Sequence, residues 1–510
     1  MEQPRKPRFE NQGSQSSELE QLIALVRGYN QDADFDLIAK AFEFSQIAHL
    51  GQKRASGEPY FIHPLATAKI LAEYKMDVVS IVVGLLHDTV EDGGISLAEI
   101  KKEFGEEVAG LVDGVTKVSA IKFRGSGEEE FIENLRKMIL AMAKDLRVVI
   151  VKLCDRLHNM QTLQYLSEER QRKISREMLE MYAPLAERLG MGEMKGQLED
   201  LAFPFVYPQE YQKLREYSKP YYKKAEEFLQ KATRTVYKAL AEEGIRAKIS
   251  SRPKHIYSLW RKLQRPEING DIDKIYDLVA MRILVETLRD CYAALGIVHS
   301  LWKPVPALGV RDYIAQPKPN GYRSIHTNVF SLHERILEVQ IRTFEMHEEA
   351  ENGIAAHWFY ASKKNKVISD KKLEKGNLFA PGEKLSWVKQ LVGWQKEVVG
   401  SKEFLESLKF DGLAHRIFVF SPKGDVFDLP VGATPVDFAF AVHTHLGKET
   451  VGAKVNGKMV SLDYKLKSGD MVEIIKKEGS HPTEGWLDFV VTNTARRKIA
   501  AYFRDKNAKV

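Results

Sequence analysis

Cysteine is almost missing from this sequence: two in 510 residues, Cys154 and Cys291, each in an apolar context. Two such thiols build no disulfide framework, which excludes a disulfide-stapled secreted fold and fits a reducing cytoplasm. No apolar run reaches the roughly 18 residues a membrane helix needs, so no membrane partner is expected. The first 18 residues, MEQPRKPRFENQGSQSSE, lack the apolar core of a signal peptide and read as a disordered tail. There is no internal repeat and no Walker-type phosphate loop. Excess charge is also small: the net +6 is compatible with polyphosphate or RNA partners without singling out either.

What is present suffices for several domains. A chain of 510 residues is too long for one core, so three or four domains are expected. Residues 19–205 carry helical periodicity, as in EQLIALVRGYN and REMLEMYAPLAERLG, and few strand signals. They read as an all-helical domain with a helical connector, interrupted by a polar loop, KFRGSGEEE, at 122–130. Over 206–360 the pattern becomes an α/β mixture. A long helix ends at Gly244, and helices then alternate with strand-like RAKISS, YDLVAMRILVE and RILEVQIRT. Residues 361–414 read as a linker, lysine-rich over 361–385, followed by a tryptophan-containing helix, SWVKQLVGWQKEVVG. Residues 415–476 turn β-rich around the helix PVDFAFAVHTHLG, with the size and order of a β-grasp module. Residues 477–510 open a C-terminal helical region.

The stretch GLLHDTVED, residues 84–92, poses the chemical question. It follows an apolar helix, yet it carries His87, Asp88, Glu91 and Asp92. At about 100° per residue these four share one helix face. Buried charges must pair or bind a metal. His63, at the start of the helix in PYFIHPLATAKIL, and Asp155, after the apolar run in VVIVKLCDRLHNM, lie in similar settings. His63, His87, Asp88 and Asp155, carried by separate helical segments, can surround one divalent cation. The mixed nitrogen and oxygen ligands suit Mn²⁺, Fe²⁺ or Zn²⁺ better than Ca²⁺. Glu91 and Asp92 can position or deprotonate a water, whose pKa a bound metal lowers towards roughly 7.

The α/β region offers a second constellation. SRPKHIYSLWRK carries Arg252, Lys254, His255, Ser258 and Lys262, which can line a triphosphate. Asp277 opens one strand. Glu338, Gln340 and Arg342 alternate along another and so share its face. Carboxylates converging from two strands are a common way to hold Mg²⁺ against nucleotide phosphates. PKPNGYRSIHT adds Lys318, Asn320, Tyr322 and His326 around a turn, with Tyr322 able to stack on a base.

These strings carry a resemblance. AHLGQKRASGEPYFIHP, GLLHDTVED and VKLCDRLHNMQTL resemble the HD-type hydrolase domain of RelA/SpoT homologues, the enzymes that make and break the alarmone (p)ppGpp. The 251–342 strings resemble the family's nucleotidyltransferase-like synthetase domain, and GATPVDFAFAVHTHLG and GAKVNGKMVSL its TGS domain. The resemblance implies a bifunctional enzyme of the stringent response. It would transfer pyrophosphate from ATP to the 3′-OH of GDP or GTP, and hydrolyse (p)ppGpp with Mn²⁺.

By resemblance, Lys53, Arg54, Ser56, Asn159 and Thr162 hold the hydrolase substrate, with Glu91 and Asp92 catalytic. Asp277 holds Mg²⁺, and Glu338 binds Mg²⁺ or activates the 3′-OH. Arg252, Lys254, Ser258 and Lys262 bind ATP. Tyr322 stacks on guanine, while Lys318, Asn320, His326, Arg311 and Gln340 complete the nucleotide site. His443 contacts tRNA, giving a ribosome or tRNA partner. Bifunctional members usually carry Arg-x-Lys-Asp where this chain has Gly309, Val310, Arg311 and Asp312, which leaves the GDP-versus-GTP preference open. Long members continue through further domains; ending at 510, this chain is either naturally short or part of a longer one. The alternatives are a hydrolase with a weakened synthetase and a non-catalytic ribosome- or RNA-binding regulator.

Overall fold

The computed structural model describes residues 12–119, 137–138, 140–141, 144–306, 308–318, 321–332, 335–356, 416–467 and 469–507. The expected loop at 122–130, the linker and helix at 361–414, and Asn320 lie outside these. No described helix is long and apolar enough to cross a membrane. The described residues form two compact units, one made of those within 12–175 together with 352–356, the other of those within 176–351 and 416–507.

The first unit is helical. α1 (Gln12–Arg27) begins inside the stretch expected to be a tail. α2 (Phe35–Ala48) is capped by Asp34, which accepts from Leu37 N, and α4 (Val78–Leu86) by Asp77, which accepts from Ser80 N. Such caps satisfy backbone donors that the first helical turn leaves open. α3 (Ile62–Glu73) packs on α4 and on α6 (Arg147–Gln161), and α5 (Leu97–Ser119) bends at Gly105. Gly84 decides how closely α3 and α4 approach: a Cβ there would lie 2.5 Å from Leu71 Cδ1 and 3.3 Å from Ala68 Cα. α4 ends at Leu86, so the HDTVED run continues as turns rather than as a helix face. The expectation of four side chains along one helix is corrected. The run leaves the helix because Thr89, whose hydroxyl bonds Leu86 O, and the Gly93-Gly94 pair close the chain on itself.

The second unit begins with short helices, α7 (Ala183–Arg188) and α8 (Gly192–Val206), which sequence reading grouped with the helical domain as its connector. α9 (Pro208–Glu242) follows. A five-stranded sheet comes next, in the order β1-β2-β5-β4-β3: β1 (Ala247–Pro253), β2 (Val279–Val285), β3 (Val310–Asp312), β4 (Ile325–Phe330) and β5 (Ile336–Thr343). β2 and β5 pair in parallel and the other neighbours are antiparallel. Alternation sorts the strands' side chains. Met281, Ile283, Ile325, Val339 and Ile341 face a core shared with α9 and α10 (Leu288–Leu301). Arg282, His326, Glu338, Gln340 and Arg342 occupy alternate positions and are also buried. Buried polar residues along strand interiors must be paired, so that face is where chemistry is to be sought.

Residues 416–476 form a β-grasp module. The hairpin of β6 (Arg416–Phe420) and β7 (Val426–Pro430) is tied through a parallel Phe420–Met471 bridge to the sheet β10-β8-β9, made of β8 (Thr450–Val455), β9 (Lys458–Val460) and β10 (Val472–Lys476). α11 (Pro435–Val442) crosses it with a capping box between Thr434 and Asp437. Buried Asp437 also accepts from Val491 N and Thr492 N, fixing the entry to α12 (Asn493–Asn507).

Candidate functional site

In the helical unit three ligand atoms converge. His63, His87 and Asp155 are all buried and present donor atoms within 4.8 Å of one another. His63 stands on the first turn of α3, His87 just past α4, and Asp155 in the middle of α6. The missing Cβ at Gly84 lets these helices approach. His63 Nε2 lies 3.1 Å from Asp155 Oδ1 and 3.5 Å from Asp88 Oδ2, while His87 Nε2 lies 3.2 Å from Asp88 Oδ1.

The donor set fits a cation. His87 Nδ1 sits 2.8 Å from Gly84 O, which accepts its proton. That leaves a bare lone pair on Nε2, and this atom is buried with no hydrogen-bond partner. Burial would raise the pKa of Asp155, but the Lys152 ammonium holds it well below the ordinary value. Burial keeps His63 below its usual value, so it is neutral, as a metal ligand must be.

Around this centre lie residues that sequence reasoning did not select. The Tyr60 hydroxyl lies 2.8 Å from Asp92 Oδ2 and 3.0 Å from Asp88 Oδ2, its single proton serving one or the other. Lys152 Nζ is 2.6 Å from Asp155 Oδ2. His158 Nδ1 is 2.8 Å from His63 Nδ1. A lysine one turn before Asp155 and a histidine one turn after it share its helix face, a signal the sequence contained.

Of the expected substrate residues, Arg54 donates to His158 Nδ1 at 3.0 Å and to Asn159 Oδ1 at 2.8 Å, and Asn159 Nδ2 donates to Asp155 Oδ1 at 2.6 Å. Thr162 caps α6. Lys53 is exposed, and Ser56 donates to Glu58 rather than into the cluster. Burial raises the Glu91 carboxyl above its ordinary value.

The sheet of the second unit carries the other centre. Asp277, just before β2, is held by Lys254 and Lys262, each 2.6 Å from one of its oxygens. Burial would raise its pKa, but the two lysines bring it down to about 2. Both oxygens are thus committed to lysines, and a cation would share them with, or take them from, these partners. On β5 Glu338 Oε1 accepts from His326 Nδ1 at 2.9 Å and from Gln340 Nε2 at 3.3 Å, and His326 Nε2 lies 2.8 Å from the Tyr322 hydroxyl. Lys318 stands over the rings of Tyr313 and Tyr322, at 4.7 and 4.9 Å. Burial, and secondarily Arg311, push its pKa down to about 8. Arg311 pairs across the ladder with His326.

Arg252 lines a cleft with Lys254, His255, Arg282 and Glu351, and Ser258 donates to Glu199 at 3.4 Å. Arg282, which shares Glu351 with Arg342, was not chosen, although an arginine inside VAMRILV is a visible oddity. His255 is pinned between Asp200 at 2.8 Å and Glu193 at 3.6 Å. Burial would lower its pKa, but the two carboxylates raise it to about 9. In the β-grasp module His443 is exposed at the end of α11, its Nδ1 accepting from His445 N.

Fold and site together define a chain with a helical domain holding a buried His/Asp cluster, a carboxylate-bearing α/β domain and a β-grasp module. Comparisons with known proteins agree. The family models described as "HD domain", "Region found in RelA / SpoT proteins" and "TGS domain" match residues 41–192, 251–365 and 417–476. A GTP pyrophosphokinase of Myxococcus xanthus is 48% identical over 486 residues, covering 94% of this chain and 62% of its own. A guanosine-3′,5′-bis(diphosphate) 3′-pyrophosphohydrolase of Aquifex aeolicus is 46% identical over 486 residues (95% of this chain, 67% of that one). The bifunctional (p)ppGpp synthase/hydrolase RelA of Mycobacterium tuberculosis is 45% identical over 490 residues (95% and 65%). The chain belongs to the RelA/SpoT homologue family. It spans 62% and 58% of the length of the first two curated relatives it matches.

Proposed function

We propose that this chain both makes and breaks (p)ppGpp. Synthesis is pyrophosphoryl transfer from ATP to the 3′-OH of GDP or GTP; breakdown is metal-dependent hydrolysis of the 3′-pyrophosphate, in the cytoplasm. The observation that carries the reading is two separate polar centres in one chain, each with its own carboxylates: buried His63, His87 and Asp155 in one, half-buried Asp277 and buried Glu338 in the other. A non-catalytic regulator has no need of either.

In the hydrolase, His63, His87, Asp88 and Asp155 would hold Mn²⁺. When bound, the cation supplies Lewis-acid stabilisation and acidifies a water. Arg54, with Asn159 and Thr162, grips phosphate oxygens, and exposed Lys53 and half-buried Ser56 close over the nucleotide's outer side. Glu91, its carboxyl raised by burial, takes up the proton, and Asp92, fixed by Tyr60, orients the attacking water.

In the synthetase, Asp277 would hold Mg²⁺, freeing Lys254 and Lys262 for the ATP phosphates beside Arg252 and Ser258. Tyr322 stacks on guanine, with Lys318, Asn320, Arg311 and Gln340 around the nucleotide. Glu338 takes the 3′-OH proton, its orientation set by His326. TGS His443 would contact tRNA and link the chain to the ribosome. A weakened synthetase is the second reading. It is favoured by Gly309, whose φ of 58° gives the loop before Arg311 a backbone that side chains rarely adopt.

The test incubates the purified chain with ATP and GDP or GTP plus Mg²⁺, and separately with ppGpp and Mn²⁺. Appearance of ppGpp in the first and pyrophosphate in the second is expected. Absence of either product removes that half of the proposal.

A further inference from the structure

The two histidines at the candidate metal centre are oriented by different acceptors. His87 Nδ1 faces a backbone carbonyl, Gly84 O, which no substitution removes. The partner of His63 Nδ1 among the described residues is a side chain, His158 Nδ1, at 2.8 Å. Two ring nitrogens this close share one proton, and a third residue decides which holds it. Arg54 NH1 also lies on His158 Nδ1, at 3.0 Å. A guanidinium has donors and no acceptor, so His158 Nδ1 presents a lone pair. His63 Nδ1 therefore carries the hydrogen, and His63 Nε2 is a lone pair aimed at Asp155 Oδ1 and Asp88 Oδ2. A lone pair facing two carboxylate oxygens with no proton between them is repulsive unless a cation lies there. The ring planes of His63 and His158 lie within 26° of each other with centroids 5.0 Å apart, and both residues are buried. Metal-bound histidines are oriented in this way by an acceptor on the far ring nitrogen, and losing it typically costs about 10–100-fold in metal affinity.

We propose that His158 is a positioning residue that turns His63 into a metal ligand, by accepting its Nδ1 proton on a lone pair that Arg54 keeps unprotonated. The proposal rests on the reading of His63, His87, Asp88 and Asp155 as a divalent-metal site.

The test measures Mn²⁺ binding to the full chain, without nucleotide, by titration calorimetry and by loss of the free-ion paramagnetic resonance signal. His158→Phe keeps a ring against His63 but removes the acceptor. His158→Asn places an amide oxygen near the position of Nδ1. The expected result is about 10–100-fold weaker Mn²⁺ binding in His158→Phe and a loss of no more than about threefold in His158→Asn. Wild-type affinity in His158→Phe overturns the proposal. So does an equal loss in both variants, which marks His158 as packing alone. A wild-type chain that binds no Mn²⁺ overturns the metal reading itself.

Discussion

At the residue scale the account turns on side chains with more than one partner. Asp155 is shared by His63, Lys152 and Asn159. Asp155→Ala is expected to abolish ppGpp breakdown and leave ppGpp formation intact, read as pyrophosphate release and as product from ATP and GDP. Tyr322 offers a finer test. Its ring is assigned to the guanine base and its hydroxyl to His326, which holds Glu338. Tyr322→Ala removes the stacking, worth about 1–3 kcal/mol, and should weaken GDP binding. Tyr322→Phe keeps the ring and drops one hydrogen bond, worth about 0.5–1.5 kcal/mol. Steady-state kinetics should show KM for GDP nearly unchanged and turnover lowered by about 2–10-fold. An unchanged turnover would separate Tyr322 from Glu338. The clustered histidines and carboxylates were legible because such residues stand out against apolar runs. Tyr60 was not, since it looks ordinary until the turn before α3 brings its hydroxyl to Asp88 and Asp92, whereas Lys152 and His158 were visible on the Asp155 face of α6 and were passed over.

At the element scale, two close approaches hold the sites in shape. α3 meets α4 across Gly84, where a methyl group would press on Leu71 and on the Ala68 backbone. Gly84→Ala should cost about 1–3 kcal/mol of stability and weaken Mn²⁺ binding, because His87 and His63 are forced apart. α8 meets the loop before Ile256 across Gly196, where a Cβ would collide with the His255 ring. His255 is raised to about 9 by Asp200 and Glu193, above its ordinary 6.5. A raised pKa means the contact's stabilisation is complete below about 6.5 and is lost as pH rises towards 9. Thermal unfolding followed from pH 6 to pH 9.5 should show this decline, and His255→Asn should flatten it. Equal slopes for both proteins would remove the contact from the account. Helices and strands followed from periodicity in the sequence. The end of α4 did not: spacing alone extended it through Asp92, whereas the Thr89 turn stops it at Leu86.

At the scale of the whole molecule, two opposed reactions in one chain would consume ATP without effect if they ran together. A nucleotide favouring the synthesis-competent state must disfavour the hydrolysis-competent state by the same free energy, typically about 1–3 kcal/mol. A non-hydrolysable ATP analogue with GDP should therefore slow ppGpp hydrolysis by about 5–150-fold; hydrolysis indifferent to both would exclude coupling. The three-part architecture was readable from changes in periodicity along the chain. The central claim is that the chain has two independent catalytic centres, and it is tested most directly by assaying both reactions in Asp155→Ala and Asp277→Ala side by side. The account predicts a crossed result: the first variant makes ppGpp without degrading it, and the second degrades ppGpp without making it. Loss of both reactions in either variant, in a protein that remains folded, would contradict it.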